Sequence, residues 1–367
     1  MITMGNKQTQ SAGDNSQQLQ ATNMVVNFGI DEKRAREIYQ EMNLQLRKDY
    51  FDEALKIANS RVTEFENKLM PKMEAVDGAL GAFADPSFQL LLVEAQKTAA
   101  ASERPADYDL LAELLIHRFQ KGENRIAKAG ISRAVKIVDE ISDDALLGIT
   151  VFHSVNFFMP VNGNIEKGLN DLDELFNKII YNTLPTGPDW LDHLDILDAV
   201  RMNHTRRLAK ISQYYSMKLK GYIDVGIEKN SQDYYTAVNI LTSANLSQNF
   251  LIDHELNNNF KRLILTNIND FDHILVKQPY WQGHGNVPLS ETQKNALRSI
   301  YDLYKKDESI KQNNINAFMQ EWEKRPNLKI LREWWDNINI SFDLTSVGIV
   351  LAHSNAQRCD KNLPPLD

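Results

Sequence analysis

Residues Ala145 to Phe158 constrain the fold more than any other stretch. Leu146, Leu147, Ile149, Val151, Phe152, Val155, Phe157 and Phe158 fall on every side of a helix. A helix apolar nearly all round is stable only when neighbours cover it on most sides. The run is too short to cross a bilayer, and no other run reaches the ~18–20 residues that a membrane span needs. The chain is therefore expected to build a layered helical body around this segment.

The flanking sequence supports that expectation. From Glu32 the residues Ile38, Met42 and Leu46 recur at helical spacing, and Ala54, Ile57, Ala58, Val62, Phe65 and Leu69 continue them. Pro71 and Gly78 are expected to end this helical pair. Asp85-Pro86 pairs an N-cap acid with proline at the first helical position. Helices are further expected over Leu110–Phe119, Ile126–Val138 and Ile165–Thr183. Trp190–Lys220 reads as one long charged helix, and Ala237–Val276 as helix with at least one break. Ser290-Glu291-Thr292-Gln293 has the form of a capping box. Asn339 to Asp343 reads as a short strand before a last helix, Leu344 to Arg358, and Trp334-Trp335 as an anchor of the C-terminal core. No repeat of 20–50 residues is visible. The fold class is mainly α.

The opening is different. Residues 6–28 read as two short extended pieces around the turn Gly13-Asp14-Asn15. The expected organisation is a polar β-hairpin or assembly segment over 1–30, an N-terminal helical domain over 31–160, and a C-terminal helical domain over 161–367. An isolated hairpin is marginal in water, and its edges favour another strand. Gln10, Gly13, Asp14, Asn15, Ser16, Gln18 and Gln20 are therefore the candidate oligomerisation residues, with amide ladders between copies. The competing reading is a solvated polar tail.

Composition excludes several classes. With 367 residues the chain can bury real cores without disulfides. Its single cysteine forms no intrachain bridge, which fits a reducing cytoplasm. A net charge of −8 argues against nucleic acid and anionic lipid as partners. No basic-then-apolar leader opens the chain.

Three segments could carry chemistry. Around Asp192, His193 and Asp195 the acids repeat every three residues, and Asp189 lies four before His193. A metal or acid–base site could use that face. The plainer reading is a solvated helix start, where acids favour the macrodipole. Arg201, Arg206, Arg207, Lys210, Lys218 and Lys220 form the densest basic stretch, with Tyr214 and Tyr215 interleaved; it reads as a solvated face more readily than as a phosphate track. Tyr280, Trp281 and His284 lie in the clearest loop of the body and form a candidate binding loop. Paired Cys/His spacing is absent, so no cofactor or structural metal is expected.

The segments Gly13-Asp14-Asn15-Ser16…Gln20-Ala21, Ala35-Arg36-Glu37-Ile38, Phe83-Ala84-Asp85-Pro86…Glu94-Ala95-Gln96-Lys97 and Leu110 to Leu115 together resemble a family of bacterial helical proteins. That family is associated with phage defence and abortive infection. The ending Leu344-Thr345-Ser346-Val347-Gly348…Ala352…Asn355 is similar to tails of the same group. The resemblance covers about residues 8–160 and 340–367. Members tend to have a more charged helix after the opening and to continue past Leu363-Pro364-Pro365-Leu366-Asp367, which leaves completeness at this end open. The family transfers no catalytic residues. The resemblance implies a setting in antiviral defence and no mechanism. Taken with the single cysteine and the assembly segment, the chain reads as a cytoplasmic, non-enzymatic sensor, adaptor or assembly component of that defence, acting as a homo-oligomer with a protein partner encoded nearby. The alternatives are a helical effector enzyme or toxin with its site near Asp192-His193, and a nucleic-acid-binding regulator.

Overall fold

The structure, a computed structural model, describes residues 32–122, 124–203, 205–269, 271, 274–277 and 286–366. The expected hairpin and its Gln10–Gln20 residues lie outside them, as do Tyr280, Trp281 and His284. The described residues are mainly α-helical, as the periodicity requires.

Helix α1 runs over Glu32–Ala75 with Pro71 inside it. Proline was expected to stop this helix. It sits near the C-terminal end, where one backbone bond is lost, and buried Phe65, Leu69 and Met73 hold that end in place. Gly78, in the left-handed region at φ 74°, makes the turn. Contacts divide the chain after Ile57, giving one unit of residues 1–57 and another of 58–367.

In the larger unit the last turns of α1 are followed by α2 (Pro86–Ala101), α3 (Pro105–Gln120), α4 (Arg125–Lys136) and α5 (Asp143–Phe157). Asp85 caps α2 by accepting from the Ser87 N–H at 3.0 Å, and Ser142 caps α5 through Ala145 N–H at 3.2 Å. All residues of α5 from Ala145 to Val155 are buried, which is the expected central helix. The last helix, α14 (Ser346–Cys359), packs on α3, α4 and α5. Gly348 lets the start of α14 lie against Ala199 and against Ile149 of α5: a Cβ there would be 2.0 Å from the Ala199 carbonyl oxygen and 3.0 Å from the Ile149 side chain.

Next come α6 (Ile165–Ile179) and α7 (Asp189–Ile196). The long helix expected over Trp190–Lys220 is not formed. Asp198 takes a left-handed φ of 59° after α7, and strand β1 (Val200–Asn203) follows. The rest is two short helices, α8 (Ile211–Lys218) and α9 (Lys220–Ile223). The helical expectation over Ala237–Val276 also gives way. After β2 (Ile227–Glu228) and α10 (Gln232–Ser243), Asn245 turns left-handed at φ 54°. Then β3 (Leu251–Asp253) and β4 (Phe260–Leu263) build an antiparallel sheet in the order β2-β4-β3. A small hairpin of β5 (Leu275–Lys277) and β6 (Asn286–Pro288) precedes α11 (Glu291–Asp302). Apolar runs of two to four residues do not distinguish strand from helix by periodicity, so the sheet carries no signal of its own in the sequence.

The Ser290 capping box is present in full. Helices α12 (Glu308–Glu323) and α13 (Pro326–Asp336) follow, then β7 (Ser341–Leu344). The expected C-terminal strand thus forms, paired antiparallel to β1 with Met202 opposite Phe342. Trp334 and Trp335 are buried.

One large core takes residues from Phe65 to Ile223 and again from Phe318 to Ala356. A smaller core, Ile227 to Tyr304, is nested between them in sequence. The main core draws Phe152 from before residue 160 and Phe176 from after it, so the expected boundary at 160/161 does not separate two cores. Between the two cores runs Arg262, fully buried. It pairs with Glu255 at 2.8 Å and donates to the carbonyls of Gly163 and Gly221. One buried polar atom in this core lacks a partner among the described residues, the Tyr215 hydroxyl. Tyr215→Phe is expected to stabilise the fold by about 1 kcal/mol, because an unpaired buried hydroxyl is removed with no loss of ring packing. Urea unfolding of the variant checks this, and a loss of stability would mean that the hydroxyl does have a partner.

Candidate functional site

In the unit of residues 1–57, the described part of α1 is helix from 32 to 57. A surface helix usually shields its apolar stripe against a core. This one does not. Tyr39, Met42, Leu44, Leu46, Tyr50, Phe51, Leu55 and Ile57 are each between 47% and 69% exposed. At 100° per residue they fall into two stripes. Leu44, Phe51 and Leu55 form one, and Tyr39, Met42, Leu46, Tyr50 and Ile57 the other. Lone exposed apolar residues need no explanation, but two such stripes on residues 39–57 of one helix mark an interaction surface. In the sequence Met42, Leu46 and Ile57 show only helical spacing, and a pattern does not reveal what covers it.

The acid–histidine segment lies on α7. Asp192, Asp195 and Asp198 are exposed, and His193 is half-buried. The Nε2 of His193 accepts from the Ser142 N–H at 3.2 Å, just ahead of α5. Asp198 pairs with Arg201 at 2.9 Å. Among the described residues no three His, Cys, Asp or Glu side chains are grouped to hold a metal ion. The basic residues are dispersed over β1, the loop after it, α8 and α9, so they do not form one helical face. Lys210 donates to the Asp336 carbonyl, and the Lys218 ammonium sits 5.6 Å above the Tyr214 ring.

The packing of α3, α5 and α14 assembles a polar spine that the sequence did not announce. His353 Nε2 lies 2.9 Å from the Pro364 carbonyl, which can only accept, so that nitrogen carries the proton. In the neutral ring its Nδ1 then accepts from His153 Nε2–H at 3.1 Å. His117 Nε2 faces Gln357 Oε1 at 2.6 Å, and its Nδ1 accepts from the Ser354 hydroxyl at 2.9 Å. Burial pushes His153 down to about 3, with His353 beside it adding to the effect. Burial also lowers His117. His117 and His153 are neutral pieces of the packing, and the spine ties the tail after α14 to the core. The Cys359 thiol is pushed up by burial, which is the opposite of an activated thiolate.

Two of the clefts among the described residues have largely apolar walls. A groove of about 540 Å³ runs between Phe158, Leu175, Lys178 and Pro364. A slot of about 340 Å³ lies between Trp190 and Trp334, and no charged side chain lines it.

A family model described as ":-like" matches residues 29–364. The chain belongs to that family. The match takes in α1 and the entire helical body, so the exposed helix is part of the family's unit and not an appendage to it. No curated protein and no solved structure matches the chain.

Proposed function

We propose that this chain works by protein contact, as a non-enzymatic sensor, adaptor or assembly component, and that its setting is bacterial antiviral defence. The observation that carries the contact reading is the two-striped apolar surface of residues 39–57. The defence setting rests on the resemblance of the Gly13–Ala21, Ala35–Ile38 and Phe83–Lys97 segments. The effector-enzyme reading would need an available His193, and its Nε2 is taken by the Ser142 amide.

The test is a phage challenge of cells that carry the gene and its neighbours, with each gene deleted in turn. In parallel, Leu44→Glu/Phe51→Glu is introduced into the intact locus. Both positions are exposed, so the variant is expected to fold. Protection should fall to the level of the gene deletion. Full protection by a stably expressed variant would sink the contact reading, and no phenotype for the deletion would sink the defence setting.

A further inference from the structure

We propose that residues 39–57 of α1 dock on the same residues of a second copy of this chain, in parallel and in register. The proposal rests on the contact reading above and adds the partner and the geometry. Area comes first. Leu44, Phe51 and Leu55, half to two-thirds exposed, give one seam on the order of 350 Å², and the second stripe brings the helix to about 900 Å² against the ~800 Å² that each partner gives to a specific interface, so both stripes are used and the assembly holds more than two copies.

Spacing comes second. Leu44, Lys48, Phe51, Leu55, Ala58 and Val62 alternate by four and three, and Phe65 and Leu69 continue the pattern. That is the a/d seam of a coiled coil. The seam is buried at Phe65 and Leu69 and exposed from Leu55 back to Leu44. Lys48 occupies one seam position, and a single polar group there fixes register and orientation.

Charge comes third. The whole chain carries −8, yet between residues 32 and 57 six basic and six acidic residues cancel. In this seam Arg47 takes position g and Asp52 position e. Five residues apart, they are the pair that meets between parallel neighbours. Neither has a hydrogen-bonded or ionic partner among the described residues. The second stripe, from Tyr39 to Ile57, lies on another side of the helix and lets further copies add.

The experiment is light scattering on the full-length chain at tens of micromolar, beside Leu44→Glu/Phe51→Glu. The expected wild-type mass is a multiple of 42.0 kDa, and the variant should run at 42.0 kDa with its thermal transition retained. As a check independent of the variant's folding, Phe51→Cys in a Cys359→Ser background is oxidised, and a 51–51 disulfide dimer is expected. A wild type at 42.0 kDa overturns the proposal and leaves residues 1–31 or a different protein as the cover. An oligomer that survives the double substitution, or the absence of the 51–51 bond, overturns it too. A monomeric wild type whose double variant still loses phage protection refutes this inference alone. An oligomer whose monomeric variant still protects refutes the functional reading alone.

Discussion

Lowering the pH from 7 to 4.5 is expected to cost the folded chain about 5 kcal/mol. The groups responsible are two buried histidines. His153 is held down to about 3 and His254 to about 4, both chiefly by burial, against 6.5 when free. His254 shows why the neutral form is fixed. Its Nε2–H donates to the Asp224 carbonyl at 3.0 Å, and its Nδ1 accepts from the Leu256 N–H at 3.2 Å. A second proton on Nδ1 would face that N–H. Because the folded-state values are depressed, the unfolded chain binds protons below pH 6.5 that the folded chain refuses. The stability of the neutral rings is therefore intact above pH 6.5 and is lost as the pH falls. Each ring loses roughly 1.4 kcal/mol per pH unit. Two rings over two units give the figure above, and His117 shifts in the same direction. The lowered carboxyls, Glu255 and Asp360 among them, add their loss only at more acid pH, while Asp107, raised by burial, acts in the opposite sense. Urea unfolding between pH 7 and 4.5 measures the slope, and His254→Gln should roughly halve it. A stability that is flat from pH 7 to 5 would show that these rings are accessible to protons when folded.

The histidine spine also shows where the sequence stops being readable. A helix whose start is written within four residues was legible: Asp85-Pro86 and Ser290 to Gln293 cap their helices as expected. So was α5, since its burial follows from composition on every side. By contrast, β1 exists because β7 lies against it, and that partner is far along the chain. Nothing local in Val200–Asn203 announces the pairing. The left-handed residues Asp198 and Asn245 ended helices without the glycine that usually signals such a stop. His117, His153 and His353 come together only once α3, α5 and α14 pack, so no spacing rule finds them. The exposed helix failed in another way. Its periodic residues were seen, but periodicity is the same whether the cover is the chain's own core or another molecule.

Phe152→Ala is expected to cost about 3–5 kcal/mol, the range for truncating a buried aromatic. Phe152 lies on α5 and stacks on Trp335 at 5.1 Å with the rings 10° apart. Its other neighbour is Phe342, 4.1 Å between centroids. Phe342 is the β7 residue opposite Met202 of β1, so one ring supports the central helix, α13 and the two-stranded sheet together. Collapse around the deleted ring is hindered, because Trp335 is pinned by its Nε1–H to the Ala209 carbonyl at 2.8 Å. The cavity therefore stays open, and the cost belongs at the upper end of the range. Phe157 supplies the contrast. It sits at the end of the same helix and is 37% exposed. Phe157→Ala should cost about 2 kcal/mol, because about a third less area is withdrawn from water and the space left at this partly exposed position is open rather than an enclosed cavity. Thermal and urea unfolding of the two variants measure the difference. If Phe152→Ala proves no costlier than Phe157→Ala, α5 is not the centre of the main core.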